Sequence, residues 1–158
     1  MSLEFTFSHS PQDVFELFCD PDFLVDRSMA LGELSADAEI EEDGSTVTIA
    51  MRREVTRDLP KVLAKVFDPK QILNMKEEWQ QIGDSYIGKS AFTVEGQPVE
   101  VKTEMTLKPT DQGSIFSISY KAKAKIPLVG GKVEKFIISN CIEGTQKEME
   151  FTAEKLAA

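Results

Sequence analysis

Residues 116–126, Phe116-Ser117-Ile118-Ser119-Tyr120-Lys121-Ala122-Lys123-Ala124-Lys125-Ile126, alternate between apolar and polar side chains. A period of two puts Phe116, Ile118, Tyr120, Ala122, Ala124 and Ile126 on one face of a strand and leaves the serines and lysines in water. Pro127-Leu128-Val129-Gly130-Gly131 ends that strand, and beyond it the rhythm changes. From about Gly131 to Leu156, the residues Val133, Phe136, Ile137, Asn140, Cys141, Gly144, Glu148, Phe151 and Leu156 recur at helical spacing. Such a helix is roughly 38 Å long at ~1.5 Å per residue, and a ten-residue strand is roughly 33 Å long. One helix is therefore long enough to lie along the concave side of a strongly curved sheet.

Working back from that junction, the period of two persists. Val99, Val101, Thr103, Met105 and Leu107 share a face, as do Tyr86, Gly88, Ser90, Phe92 and Val94, then Leu73, Met75, Glu77 and Trp79, then Val47, Ile49, Met51, Arg53 and Val55. Asp43-Gly44, Gly83-Asp84, Gly96-Gln97-Pro98 and Pro109–Gly113 read as the turns between them, and Ala38 and Ile40 open the strand before Asp43-Gly44. Asp58-Leu59-Pro60 begins a short helical insert reaching Val66 or Phe67. At the start of the chain, Leu3, Phe5 and Phe7 alternate with polar residues as a half-buried strand. Two helix starts follow, each an N-cap residue with proline at the first helical position: Ser10-Pro11, with Asp13 in the first turn, and Asp20-Pro21. Val14, Phe15, Leu17 and Phe18 give the first helix its apolar face. Phe23, Leu24, Met29 and Leu31 are assigned to the second, with Gly32 as its stop. The element order is strand, two short helices, six strands, long helix. This is an α+β pattern whose natural closure is a seven-stranded antiparallel sheet wrapped around the final helix.

The chain has 158 residues, 41% of them hydrophobic, with no linker, repeat or low-complexity stretch, so a single domain over residues 1–158 is expected. Eighteen basic residues against 27 acidic ones give a net charge of −9, which argues against a nucleic-acid partner and against electrostatic docking on an anionic membrane. No apolar run approaches the ~20 residues of a membrane span, so no integral membrane association is expected. Met1-Ser2-Leu3-Glu4 lacks the basic and apolar regions of a signal peptide, and the expected compartment is the cytoplasm. Cys19 and Cys141 read as free buried thiols. With one histidine, no CxxC and no HExxH, neither a zinc site nor a cofactor is expected.

The opening pattern Phe5-Thr6-Phe7, Ser10-Pro11-Gln12-Asp13-Val14-Phe15-Glu16-Leu17-Phe18 and Asp20-Pro21-Asp22-Phe23, with Trp79 mid-chain and the long terminal helix, resembles the START-like (SRPBCC) helix-grip superfamily. Its members include birch-pollen-allergen-like and polyketide cyclase-like proteins. With Leu59-Pro60, the pattern is most similar to a bacterial subfamily of unknown function. The resemblance covers essentially the whole chain. It implies a deep cavity between sheet and helix for a hydrophobic ligand, and it transfers no catalytic residue.

Polar residues on otherwise apolar faces are the candidates for chemistry. Arg53 and Glu77 interrupt two strand faces, Ser90, Thr103 and Tyr120 interrupt others, and Asn140 and Glu148 lie on the helix stripe. A lone buried charge is costly, so Arg53 and Glu77 should pair or meet water. In a ligand pocket they form the polar end, with Arg53 meeting an acidic or carbonyl group. Trp79, Phe92 and Met105 then supply wall, and Ile137 and Cys141 close the pocket from the helix. The alternative is a structural Arg53–Glu77 pair in a filled core. His9 reads as a junction residue and Ser10 as a cap, so no nucleophile triad is assembled. Lys132 and Lys135 in the first turns of the last helix, with Glu148, Glu150 and Glu154 near its end, oppose the helix dipole. One explanation is that Lys132 and the Gly130-Gly131 loop mark a cavity mouth.

The reading favoured by these features is a binder or carrier of a small hydrophobic or amphipathic ligand, lipid-like or polyketide-like, with access between the Leu59–Phe67 insert and the Pro127–Gly131 loop. Two alternatives stay open. One is a cyclase or dehydratase using Glu77, Tyr120 or His9 as general acid or base in the same cavity, which Glu77 buried without a cation would favour. The other is a protein-interaction module with a filled core.

Overall fold

The computed structural model describes every residue, Met1–Ala158. In chain order the elements are β1 (Ser2–Phe7), α1 (Pro11–Phe18), α2 (Pro21–Ala30), β2 (Ser35–Asp43), β3 (Thr46–Thr56), α3 (Lys61–Ala64), β4 (Lys70–Ile82), β5 (Ser85–Val94), β6 (Val99–Thr110), β7 (Gly113–Ala124) and α4 (Gly130–Ala157). All seven strands form one antiparallel sheet in the order β1-β7-β6-β5-β4-β3-β2. The strands after α2 are hairpin neighbours, and β1 closes the far edge against β7. The α4 helix, 28 residues long, grips the concave face of this curved sheet. The architecture is the α+β helix-grip arrangement expected.

Local chemistry accounts for the elements. Ser10 Oγ accepts the Asp13 N–H at 3.2 Å, and Asp20 Oδ1 accepts the N–H groups of Asp22 and Phe23 at 3.0 and 3.2 Å, so both proline-led helices start on satisfied caps. The α4 helix has no side-chain cap. Its first turn is tied to the end of β7 by Glu134, whose Oε2 accepts the Ala124 N–H at 2.9 Å.

Four expectations are corrected. The insert is a single helical turn, Lys61–Ala64, because Pro69 accepts the Arg57 N–H and draws the chain back to the sheet. The β6–β7 ladder runs on through Pro109, opposite Ser114, leaving only Asp111-Gln112 as the turn. The inward face of α2 is Phe23, Leu24, Arg27 and Ser28, whereas Met29 and Leu31 are exposed. On α4 only Val133, Met149 and Thr152 are fully buried. Between Val133 and Met149 every inward residue keeps accessible surface, because the helix there spans an open interior.

Two apolar clusters hold the halves together. The larger unites α1, α2 and the inner faces of β3 to β7 around Trp79, Phe18 and Phe116. The smaller packs Leu63 and Phe67 of the insert against Val133 at the start of α4, with Val55, Val94 and Val99 beneath. Trp79 is 1% exposed, and its ring lies over Gly88 of β5, where a Cβ would stand 2.6 Å from the indole. The indole's place in the core therefore requires a residue without a side chain opposite it. Gly88→Ala should cost about 1–3 kcal/mol by overpacking, read as a lower urea midpoint with unchanged slope. An unchanged midpoint would contradict this packing.

Candidate functional site

The parity of β3 to β6 and the inward stripe of α4 bring one set of polar side chains to a cavity of about 360 Å³ between sheet and helix. That volume lies within the range of ligand pockets, ~300–1,000 Å³. Arg53, Glu77, Ser90, Phe92, Thr103, Met105, Tyr120 and Cys141, each named from the sequence, all border it. Trp79 borders a side pocket of about 70 Å³ that shares Glu77 and Arg27 with the main cavity. Ile137 borders a narrow apolar annex of about 20 Å³, which meets the main cavity at Arg57, Phe92 and Cys141. A larger hollow, about 740 Å³, lies on the outer face of the sheet among exposed side chains such as Glu4, Gln80 and Lys89. It gathers none of the buried polar groups.

The structural Arg53–Glu77 pair, the alternative to a pocket, does not form. In register, Glu77 lies opposite Ile49 while Arg53 lies opposite Leu73, so the two are separated along the β3–β4 ladder. Arg53 reaches instead to two acids outside the sheet. Its Nε donates to Glu33 Oε1 at 2.9 Å, its Nη2 donates to the other Glu33 oxygen, and Nη2 also donates to Glu148 Oε2 at 3.3 Å. Glu33 comes from the α2–β2 turn and Glu148 from α4, so one guanidinium ties three parts of the fold across the cavity. Burial opposes the Arg53 charge, but the Glu33 bond and the charges of Glu148 and Glu33 outweigh it and hold the guanidinium firmly charged. Glu148 also approaches Arg27, 3.8 Å away on α2. These partners, rather than the helix dipole, explain an acid in the C-terminal half of α4.

Glu77 sits deep beside the cavity, and its only hydrogen bond is from Trp79 Nε1, which donates to Oε2 at 2.8 Å. Burial raises its pKa above the usual carboxylate value, with Trp79 and the Arg27 charge acting in the opposite direction. No cation lies within ion-pair distance of it. Ser90 and Thr103 face each other across β5 and β6 and share a hydrogen bond of 2.5 Å. The Tyr120 hydroxyl bonds with Thr145 Oγ1 of α4, and burial pushes its pKa up. Burial also raises both thiols, Cys19 to about 12 and Cys141 to about 11. Protonated thiols are poor nucleophiles, which does not suit a catalytic cysteine.

The cavity's mouth is not at the insert. Leu63, Phe67 and Val133 plug the expected access, and Lys132 is exposed and does not border the cavity. The exposed rim is instead Leu31, Gly32, Thr56, Glu143 and Lys147, between the α2–β2 turn, the end of β3 and the middle of α4. Sequence reasoning missed Arg27, Glu33, Arg57 and Thr145. Of these only Arg27 carried a signal, since it falls three residues after Leu24 and four after Phe23 on the apolar face of α2.

A sheet gripping a long helix over a polar-lined cavity defines the helix-grip class of fold. The chain belongs to the family described as Protein of unknown function (DUF2505), whose profile matches residues 2–156. Comparison with curated proteins gives no match. Among solved structures the fold is similar to TTHA0849 from Thermus thermophilus (TM-score 0.63, 16% identity, covering 99% of this chain and 96% of that one). It is also similar to MLL2253 from Mesorhizobium loti (TM-score 0.60, 12% identity, 99% and 96%) and to Ara h 8.0201 (TM-score 0.58, 15% identity, 98% and 97%). No helix is long and apolar enough to cross a membrane.

Two outcomes follow from the charges. Arg53→Ala strands Glu33 and Glu148 in a largely desolvated setting and should cost about 3 kcal/mol, whereas Arg52→Ala, removing an exposed pair with Glu54, should cost about 0–1 kcal/mol. Equal urea midpoints for the two variants would contradict the network. For Glu77 the folded-state pKa is raised, so the folded protein holds the proton more tightly than the unfolded chain. Its favourable contribution is complete below about pH 4 and is lost as pH rises towards the folded value. Glu77→Gln, which keeps an acceptor for Trp79, should gain stability relative to wild type between pH 4 and 8 in urea titrations. A difference independent of pH would contradict the raised pKa.

Proposed function

We propose that the whole chain, residues 1–158, acts as one domain that binds or carries a small hydrophobic or amphipathic molecule in the cavity beneath α4. The observation that carries this reading is the cavity itself: about 360 Å³, bordered by Met51, Met75, Met105, Phe92 and Ile118 and by a few oriented polar groups. Flexible methionines suit a wall that adapts to an apolar body. The START-like resemblance supports the same reading. A filled interior, the feature that would favour an interaction module, is absent from the space under α4. Two half-buried free thiols suit a reducing compartment such as the cytoplasm.

Glu77 favours a second reading. A carboxyl whose protonated form is favoured by burial, without a cation and beside a cavity, is fit to act as a general acid in a cyclase- or dehydratase-type reaction. Under that reading Glu77→Gln would abolish turnover and leave ligand affinity unchanged.

The binding reading is tested by native mass spectrometry of protein purified without lipid removal, then by Trp79 fluorescence with fatty acids, sterols and aromatic polyketide-like compounds. A one-to-one adduct, or saturable quenching by one class, is expected. Met75→Trp, which fills the cavity, should lose that binding while remaining folded. No bound species and no response to any class would contradict the proposal.

A further inference from the structure

Three arginines, Arg27, Arg53 and Arg57, border the main cavity, and the acids there do not match them one for one. Glu143 is taken by Lys147 at 3.3 Å. Glu33 and Glu148 both hold Arg53. Glu77 is committed to the Trp79 indole and lies within 4 Å of no cation. Arg27 is 9% exposed and stacks over the Phe23 ring at 5.8 Å, but its Nε is buried with no hydrogen-bond partner and its nearest acid is Glu148 at 3.8 Å. Arg57, just past the end of β3, has no ion pair and no side-chain hydrogen bond. It is half-buried, and it stands where the main cavity meets the annex, close to the exposed rim at Thr56.

A guanidinium stays charged under all ordinary conditions, so its hydrogen-bonding capacity cannot be discharged by losing a proton. Burial is the largest effect on Arg57 and weighs against its charge, as does the neighbouring Arg53, while Cys141 and Glu33 offset this only in part. An unpaired, partly desolvated cation at the junction of an apolar-walled cavity therefore lacks an anion that the chain does not supply. The planar, five-donor fork fits a carboxylate in two parallel hydrogen bonds. Asn140, which borders the same junction, has an amide able to donate to the same head. Behind Arg57 the wall is Val55, Leu73, Phe92 and Met75, leading to Met105 and Ile118.

We propose that the ligand of this cavity is an amphiphilic carboxylate, its anionic head received by Arg57 near the rim and its apolar body laid along β3 to β6 under α4. Arg53, the cation named from the sequence, is not the receiving group, because two carboxylates, Glu33 and Glu148, already offset its charge through Nε and Nη2, leaving only Nη1 without a partner. This inference rests on the binding reading above and names the chemical class it takes.

The test compares three probes of one chain length, decanoate, 1-decanol and decylammonium, by titration calorimetry against wild type, Arg57→Gln and Arg57→Lys. Arg57 has no partner in the chain, so both variants should fold, which circular dichroism checks. Wild type should bind decanoate at least tenfold more tightly than decanol, and decylammonium most weakly. Arg57→Gln should abolish the preference for acid over alcohol while keeping decanol affinity within about twofold, and Arg57→Lys should retain part of the preference. Equal affinity for acid and alcohol, tightest binding of the ammonium, or an unchanged preference in Arg57→Gln overturns this inference and leaves the binding reading standing. No binding of any of the three probes to wild type also overturns this inference, and together with no bound species and no response in the ligand panel above it overturns the binding reading as well.

Discussion

The clamp of Arg53 between Glu33 and Glu148 is the constraint on which the interior depends. Arg53 projects from a central position of β3, and its two acids come from the α2–β2 turn and from the far side of the cavity on α4. A guanidinium shared by two carboxylates cannot move into an apolar core without leaving charges stranded, which is among the costliest changes a fold can suffer. Sheet and helix are therefore held at the distance the side chains bridge, with room left beneath the middle of α4. At either end that distance closes, onto Val133 beside the insert and onto Met149 beside α1 and α2. The helix grips at its ends and arches over its centre.

Polar groups around the cavity are satisfied in a graded way. Ser90 with Thr103, and Tyr120 with Thr145, are neutral pairs that present little unmet capacity. Arg53 is saturated by charge. Glu77 keeps a single donor, Trp79, and burial favours its protonated form. Arg27 and Arg57 are left with capacity to spare. Under the proposed binding reading, a cavity with this gradient would discriminate by electrostatics at one end and by shape along the rest, the usual division of labour in small-molecule sites.

Much of the fold was legible because strands carry a period of two and this chain keeps it with few interruptions. The faces Ile49-Met51-Arg53-Val55, Met75-Glu77-Trp79 and Phe116-Ile118-Tyr120 are those that turn inward, and the two Pro-led caps stand where Ser10 and Asp20 predict them. Legibility failed where tertiary context overrides local pattern. On α2, hydrophobicity drew Met29 and Leu31 inward, yet helical spacing from Phe23 and Leu24 selects Arg27 and Ser28, and spacing prevails. The partners of Arg53 were hidden for another reason. Glu33 lies in a turn and is remote from Arg53 in sequence, and neither periodicity nor propensity links a turn residue to a strand 20 positions on. Arg57 was invisible because its distinguishing property is the absence of a partner, which only the full set of contacts reveals.

The central claim is that α4 spans a ligand-sized opening rather than a packed core. A crystal structure of the protein purified without lipid removal measures this most directly. The account predicts that, apart from the Arg53–Glu148 bond, residues Asn140 to Glu148 stand clear of β3 to β5, with density between Arg57 and Met105 that the polypeptide does not explain. Met51, Met75, Met105 and Phe92 closed tightly against Ile137 and Cys141, with Arg53 turned to bulk solvent, would contradict it.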